Sequence, residues 1–179
     1  MLPRDKKVGT PKPKSAEQAL TSLMRLCARA ERSSGDAMRL MARWQVPAEQ
    51  RQNVLKRLIA EKFIDDRRYV EAFVREKVNL SAWGEYKIKA TLRGKGISED
   101  VINSVLSEVD SLHNVERLRE RLARKLRSLK ADTPYQLKTK LIRHGLSLGF
   151  PTDVVIECAE SLINDLNLKK ECETDDIFF

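Results

Sequence analysis

The chain has 179 residues, with 34 Lys and Arg against 26 Asp and Glu, a net charge of +8, 41% hydrophobic residues and only 7 Gly and 6 Pro. So large an apolar fraction in a strongly charged sequence describes one or two folded domains, not a disordered polycation. No apolar run approaches the roughly 18 residues of a membrane span and the first residues lack the apolar core of a secretory signal, so a cytoplasmic protein without membrane contact is expected.

Residues 1–15 carry Pro3, Lys6, Lys7, Pro11, Lys12, Pro13 and Lys14 with no apolar period, the composition of a flexible basic arm. Beyond them apolar residues recur three and four apart and nowhere alternate over a strand's length, which predicts an all-α fold. Nine helices are predicted near 16–32, 35–45, 47–61, 66–80, 82–94, 98–110, 112–131, 134–148 and 151–166. Ser15 with Gln18 and Thr133 with Gln136 have capping-box spacing, while Pro47, Pro134 and Pro151 suit a first helical position. Gly94, Gly96 and Gly149 stand where helices should stop. The end, 168–179, is acidic and closes on Ile177-Phe178-Phe179; a disordered tail is expected.

Nine helices suggest a repeat of three. Val46, Ile97 and Phe150, 51 and 53 residues apart, are each followed three residues later by an acid, Glu49, Asp100 and Asp153. Apolar residues follow at nine (Leu55, Leu106, Ala159) and at twelve (Leu58, Val109, Leu162). The acid suits the positive end of a helix dipole in each unit. Three three-helix units are therefore expected, at 16–64, 65–110 and 111–167.

Positive charge gathers in the second and third units. Arg67 to Gly96 holds eight basic residues against three acidic, and Arg117 to Arg143 holds ten against two. Leu118, Leu122, Leu126 and Leu129 mark a buried stripe, with Arg117, Arg121, Arg124 and Lys125 on its flank. Lys89 and Arg93, four apart, share a solvated face opposite Ile88 and Leu92. The candidate polyanion-binding residues are Arg67, Arg68, Lys87, Lys89, Arg93, Lys95, Arg117, Arg121, Arg124, Lys125, Lys138, Lys140 and Arg143. The alternative is that these are ordinary solvated faces keeping a helical bundle soluble. Trp83, Tyr86 and Tyr135 lie near them and could stack on bases.

Enzyme chemistry finds little support in the sequence. Arg93-Gly94-Lys95-Gly96 follows a helix and lacks the order of a phosphate loop. Cys27, Cys158, Cys172, His113 and His144 have neither disulfide nor metal-ligand spacing. Asp65-Asp66 is the one tight carboxylate pair, and Asp65 is better placed to cap the following helix than to hold a nuclease metal. No catalytic residue, metal or cofactor is expected.

Ile64-Asp65-Asp66-Arg67-Arg68-Tyr69-Val70-Glu71-Ala72-Phe73-Val74, then Gly84-Glu85-Tyr86-Lys87-Ile88, then Leu92-Arg93-Gly94-Lys95-Gly96-Ile97 resembles the central region of the RecX regulatory proteins. The likeness runs from about Ala19, through Ala28-Arg29-Ala30-Glu31-Arg32, to the Gly149-Phe150-Pro151-Thr152-Asp153 turn. The resemblance implies an elongated, curved row of three-helix repeats. It also implies a monomeric regulator that binds the RecA recombinase filament on DNA, restrains its recombinase and ATPase activities and so influences DNA repair. A sequence-independent nucleic-acid-binding protein with no recombinase partner is the alternative. Two positions depart from the family pattern, Leu148 where an Arg is usual and Gly145 where an apolar residue is usual, and both fall in the last unit.

Overall fold

A computed structural model describes residues 13–109, 111–131 and 133–175. Among them the secondary structure is helical only: α1 (Ala16–Cys27), α2 (Ser34–Arg43), α3 (Ala48–Ala60), α4 (Asp66–Ser81), α5 (Glu85–Gly94), α6 (Glu99–Leu106), α7 (Ser111–Ser128), α8 (Pro134–Leu148) and α9 (Thr152–Asp175). The fold is all-α, as the apolar period requires.

The chain divides into two compact units, one of residues 1–69 with 93–101 and the other of 70–92 with 102–179. In the first, Ala19, Leu20 and Leu23 of α1 close on Ala37 and Met41 of α2, Val54, Leu55 and Leu58 of α3, and Ile64. In the second, Leu118 and Leu122 of α7 meet Leu141 and Leu148 of α8, Phe150, and Val155, Ala159 and Leu162 of α9. Leu126 and Leu129 continue the α7 stripe, half-buried at its edge. Gly145 is buried on α8, and a Cβ there would sit 2.6 Å from Val155 Cγ1. The departure at Gly145 therefore lets α9 approach α8 closely, which offsets the cost of about 1 kcal/mol that a helix-interior glycine carries.

Local signals start and stop the helices. Ser15 Oγ accepts the Gln18 N–H at 3.3 Å while Gln18 Oε1 accepts the Ser15 N–H at 3.2 Å, closing the box on α1. Asp65 Oδ1 accepts the Arg68 N–H at 3.0 Å and caps α4. Its neighbour Asp66 reaches another helix, where Oδ1 accepts the Ser34 N–H at 2.8 Å in the first turn of α2. Both carboxylates of the tight pair thus serve helix ends. Glu49, Asp100 and Asp153 lie in the first turns of α3, α6 and α9.

Several boundaries differ from the sequence reading. Helix α1 stops at Cys27 instead of 32, because the backbone tightens through Arg29 N–H to Leu26 O and Ser33 then caps α2 by accepting the Asp36 N–H at 3.1 Å. Helix α5 starts at Glu85 instead of 82, after Ala82 adopts φ 50° and Trp83 N–H turns back to Lys77 O. Pro47 is the N-cap of α3, one residue before the position expected for it, and Pro151 precedes α9. Helix α9 continues to Asp175, past the predicted 166. Most of the basic arm, residues 1–12, and Ile177-Phe178-Phe179 of the tail lie outside the described residues.

The three turns before Val46, Ile97 and Phe150 are alike. Each places a residue in the left-handed region: Gln45 at φ 55°, Gly96 at 78° and Gly149 at 88°. The carbonyl one residue earlier accepts a hydrogen bond in all three: Trp44 O from Lys14 N–H (3.0 Å), Lys95 O from the Ser33 hydroxyl (3.3 Å) and Leu148 O from Gly84 N–H (2.8 Å). Glycine stands where a backbone comes close. A Cβ on Gly35 would lie 1.8 Å from Lys95 O, and one on Gly84 would lie 2.3 Å from Gly149 O. At Gln45 a non-glycine residue takes the left-handed conformation.

Candidate polyanion-binding surface

Each predicted basic residue has a definite environment. In the first unit they are engaged with acids. Arg68 on α4 forms a forked pair with Glu31, Nε to Oε1 at 2.7 Å and Nη2 to Oε2 at 3.2 Å, and adds a bond to Lys62 O. That carboxylate raises the affinity of Arg68 for its proton. Arg93 forms a similar fork with Glu99. Arg67, exposed in the first turn of α4, is engaged as well.

Lys95 sits above the Tyr69 ring, 5.5 Å from its centroid, with Nζ 3.2 Å from Asp36 Oδ2. Asp36 also takes Arg39, whose other amino group caps Gly94 O at 3.0 Å. Burial alone would push the Asp36 carboxyl up, but the hydrogen bonds and charges of Arg39 and Lys95 outweigh it and hold it below the usual carboxylate range. Burial alone would likewise lower Lys95, and Tyr69 and Asp36 together hold it higher. The network therefore fixes α2 to the turn after α5.

The second unit is divided. Lys87 donates to Ser147 O at 2.9 Å and lies 4.6 Å from the Trp83 ring centroid. Trp83 also packs edge-on against Phe73, at 6.2 Å between centroids, with Lys77 over it. Its faces are thus taken up within the fold, while Tyr86 and Tyr135 are 65% and 78% exposed. Lys89 pairs with Glu85 at 2.5 Å, Lys138 with Glu160 at 2.6 Å, and Lys140 caps Lys130 O at 2.6 Å. Arg117 lines a groove floored by Val74, Val78 and Val105 and rimmed by Glu71 and Glu108, apart from the other α7 cations.

Arg121, Arg124, Lys125 and Ser128 of α7 line an open cleft with His144 of α8. Arg124 reaches Glu120 only at 3.8 Å, and among the described residues Arg121 and Lys125 form no ion pair. Burial lowers the proton affinity of His144, and the charges of Lys125, Arg121 and Lys87 lower it further. The three charges add positive potential to the effect of burial. Such a cleft favours an anion, since three cations within one helical turn reinforce one another's field. His144 carries no sequence signal as part of this surface; only the packing of α8 on α7 brings it there.

Residues 65–106 match the profile of the second three-helix domain of RecX. The regulatory protein RecX of Clostridium botulinum (strain Eklund 17B / Type B) is 36% identical over 104 residues, covering 57% of this chain and 48% of that protein. The chain belongs to the RecX family. The RecX of Lactococcus lactis subsp. cremoris (strain MG1363) is 33% identical over 129 residues, 71% of this chain and 47% of its own length. The chain thus spans about half the length of the curated RecX proteins it matches. The crystal structure of RecX from Lactobacillus salivarius shares the fold, with a TM-score of 0.67 over 86% of this chain and 97% of the other at 22% identity. RecX proteins carry the name of regulatory proteins, and among the described residues no helix is long and apolar enough to cross a membrane.

Proposed function

We propose that the chain is a non-enzymatic regulator that binds the RecA recombinase filament on DNA and restrains its activity. RecX membership supports the target. The observation that carries the binding mode is the α7 row, where Arg121 and Lys125 face an open cleft and form no ion pair among the described residues. Building such a row costs self-repulsion, which a partner dense in negative charge would offset. Exposed Tyr86 and Tyr135 add aromatic surface in the same unit. Three-helix repeats, with 111–167 as the last, would present the row along a filament groove as a monomer.

The test is binding to recombinase-coated DNA and to bare DNA at several salt concentrations, with strand exchange and ATP hydrolysis followed alongside. Preference for the coated DNA, with slowed ATP hydrolysis, is the expected result. Equal affinity for both, with a steep loss on adding salt, would instead favour a plain nucleic-acid-binding protein.

A further inference from the structure

We infer that the cleft of Arg121, Arg124, Lys125 and His144 is a phosphodiester site in which His144 becomes a fourth cation when a phosphate enters. The inference rests on the proposed binding of a nucleic-acid-containing partner and specifies where one backbone phosphate sits.

The geometry brings the groups together from separate helices. Arg121, Arg124, Lys125 and Ser128 supply one wall and His144 the other. Of the acids on the surrounding elements, Glu85 of α5 pairs with Lys89 and Glu160 of α9 with Lys138, while Glu120 stands 3.8 Å from Arg124 of the cleft itself. Lys87 of α5 bears on His144 electrostatically while its own amine is bonded to Ser147 O. On its own helix, Lys140 caps Lys130 O and Arg143 is exposed. In the empty cleft burial, and then the charges of Lys125, Arg121 and Lys87, favour the neutral imidazole. A phosphodiester, singly negative throughout this range, offsets part of the positive potential beside the imidazole and favours the proton on His144, whose two N–H groups then both donate.

The sign follows from linkage. The free imidazole has a pKa below the ordinary value of about 6.5 and the liganded one a higher pKa, so binding takes up a proton and tightens as pH falls between them. A phosphodiester has no proton to lose here, so the dependence belongs to the protein.

The test uses the full chain, a single-stranded oligothymidylate and, separately, inorganic phosphate. With only two histidines in the sequence, the imidazole of His144 can be followed by NMR and assigned by its loss in His144→Gln. Saturation with the oligonucleotide should raise the His144 pKa, and affinity should rise about three- to tenfold from pH 7.5 to 5.5, as a shift of up to one pKa unit requires. In His144→Gln that rise should vanish. An unmoved imidazole, parallel pH profiles in the two proteins, or a shift produced by inorganic phosphate but not by the oligonucleotide would overturn the inference. Recombinase-coated DNA serves as the last arm. If it binds with the same pH profile in both proteins, the site fails and the filament reading stands; if neither DNA form binds, the filament reading fails with it.

Discussion

The two compact units spend their basic residues differently. In the first, Arg68, Arg93 and Lys95 each face a carboxylate, and the Asp36 network ties α2 to the turn after α5. In the second, Lys89 and Lys138 are used in the same way and Lys87 is held by the Ser147 carbonyl, yet among the described residues Arg121 and Lys125 of α7 form no ion pair. A count of Lys and Arg therefore does not say which of them can meet a partner. A cation already held by an acid must give up that partner to grip a phosphate, whereas an unpaired one gains the whole interaction. On this comparison the proposed contact surface is the cleft on α7 and α8.

The largest effect should come from reversing the unpaired charges. Arg121→Glu with Lys125→Glu should weaken binding to DNA-containing partners about a hundredfold at low salt, through lost counterion release and new repulsion. Helicity and melting temperature should stay unchanged, since neither side chain supports the core. Fluorescence anisotropy and circular dichroism check the two halves. A loss below about threefold would return these residues to the class of ordinary solvated faces.

A second change breaks the comparison from the other side. Asp36→Asn would release Lys95 and Arg39 from the acid they share. Stability should fall by about 1–2 kcal/mol, because Asp36 is three-quarters or more covered and accepts charged hydrogen bonds, while DNA affinity rises by no more than about threefold. The pH dependence fixes the cause. The folded Asp36 carboxyl has a depressed pKa, so its contribution is present above the ordinary value of about 3.9 and is lost as pH falls through the folded value. Urea unfolding at pH 7 and pH 3 should therefore show a smaller difference in Asp36→Asn than in the parent.

Much of this architecture was legible in the sequence. The apolar period located the helices, Ser15 and Asp65 announced their caps, and Gly96 and Gly149 marked the left-handed turns, because these signals act over four residues or fewer. The commitments of charge were not legible. Glu31 lies 37 residues from Arg68, and Asp36 lies 59 from Lys95, so a local count of charges saw the cations without the acids that neutralise them. Asp66 read as half of a local pair and turned out to serve α2 across 32 residues. Arg117 shares a helical interval with Arg121, yet it faces a groove rimmed by Glu71 and Glu108. The end of α1 was misread since no Gly or Pro breaks the helix; the need for Ser33 at the start of α2 does.

The smallest effect sharpens the comparison most. The Arg68 and Glu31 side chains are 42% and 38% exposed, so even their forked geometry contributes only about 1 kcal/mol or less in water. Arg68→Ala should lower the melting temperature by a few degrees at most and change DNA affinity by less than about twofold, because the pair presents little net charge to a phosphate. Salt titration of binding is the deciding measurement. Removing a true phosphate contact flattens the slope of log affinity against log salt by about one, whereas removing a cation already neutralised by a carboxylate leaves it unchanged. An unchanged slope in Arg68→Ala beside a flattened one in Lys125→Ala would establish that pairing, rather than position along the chain, decides which cations meet the partner.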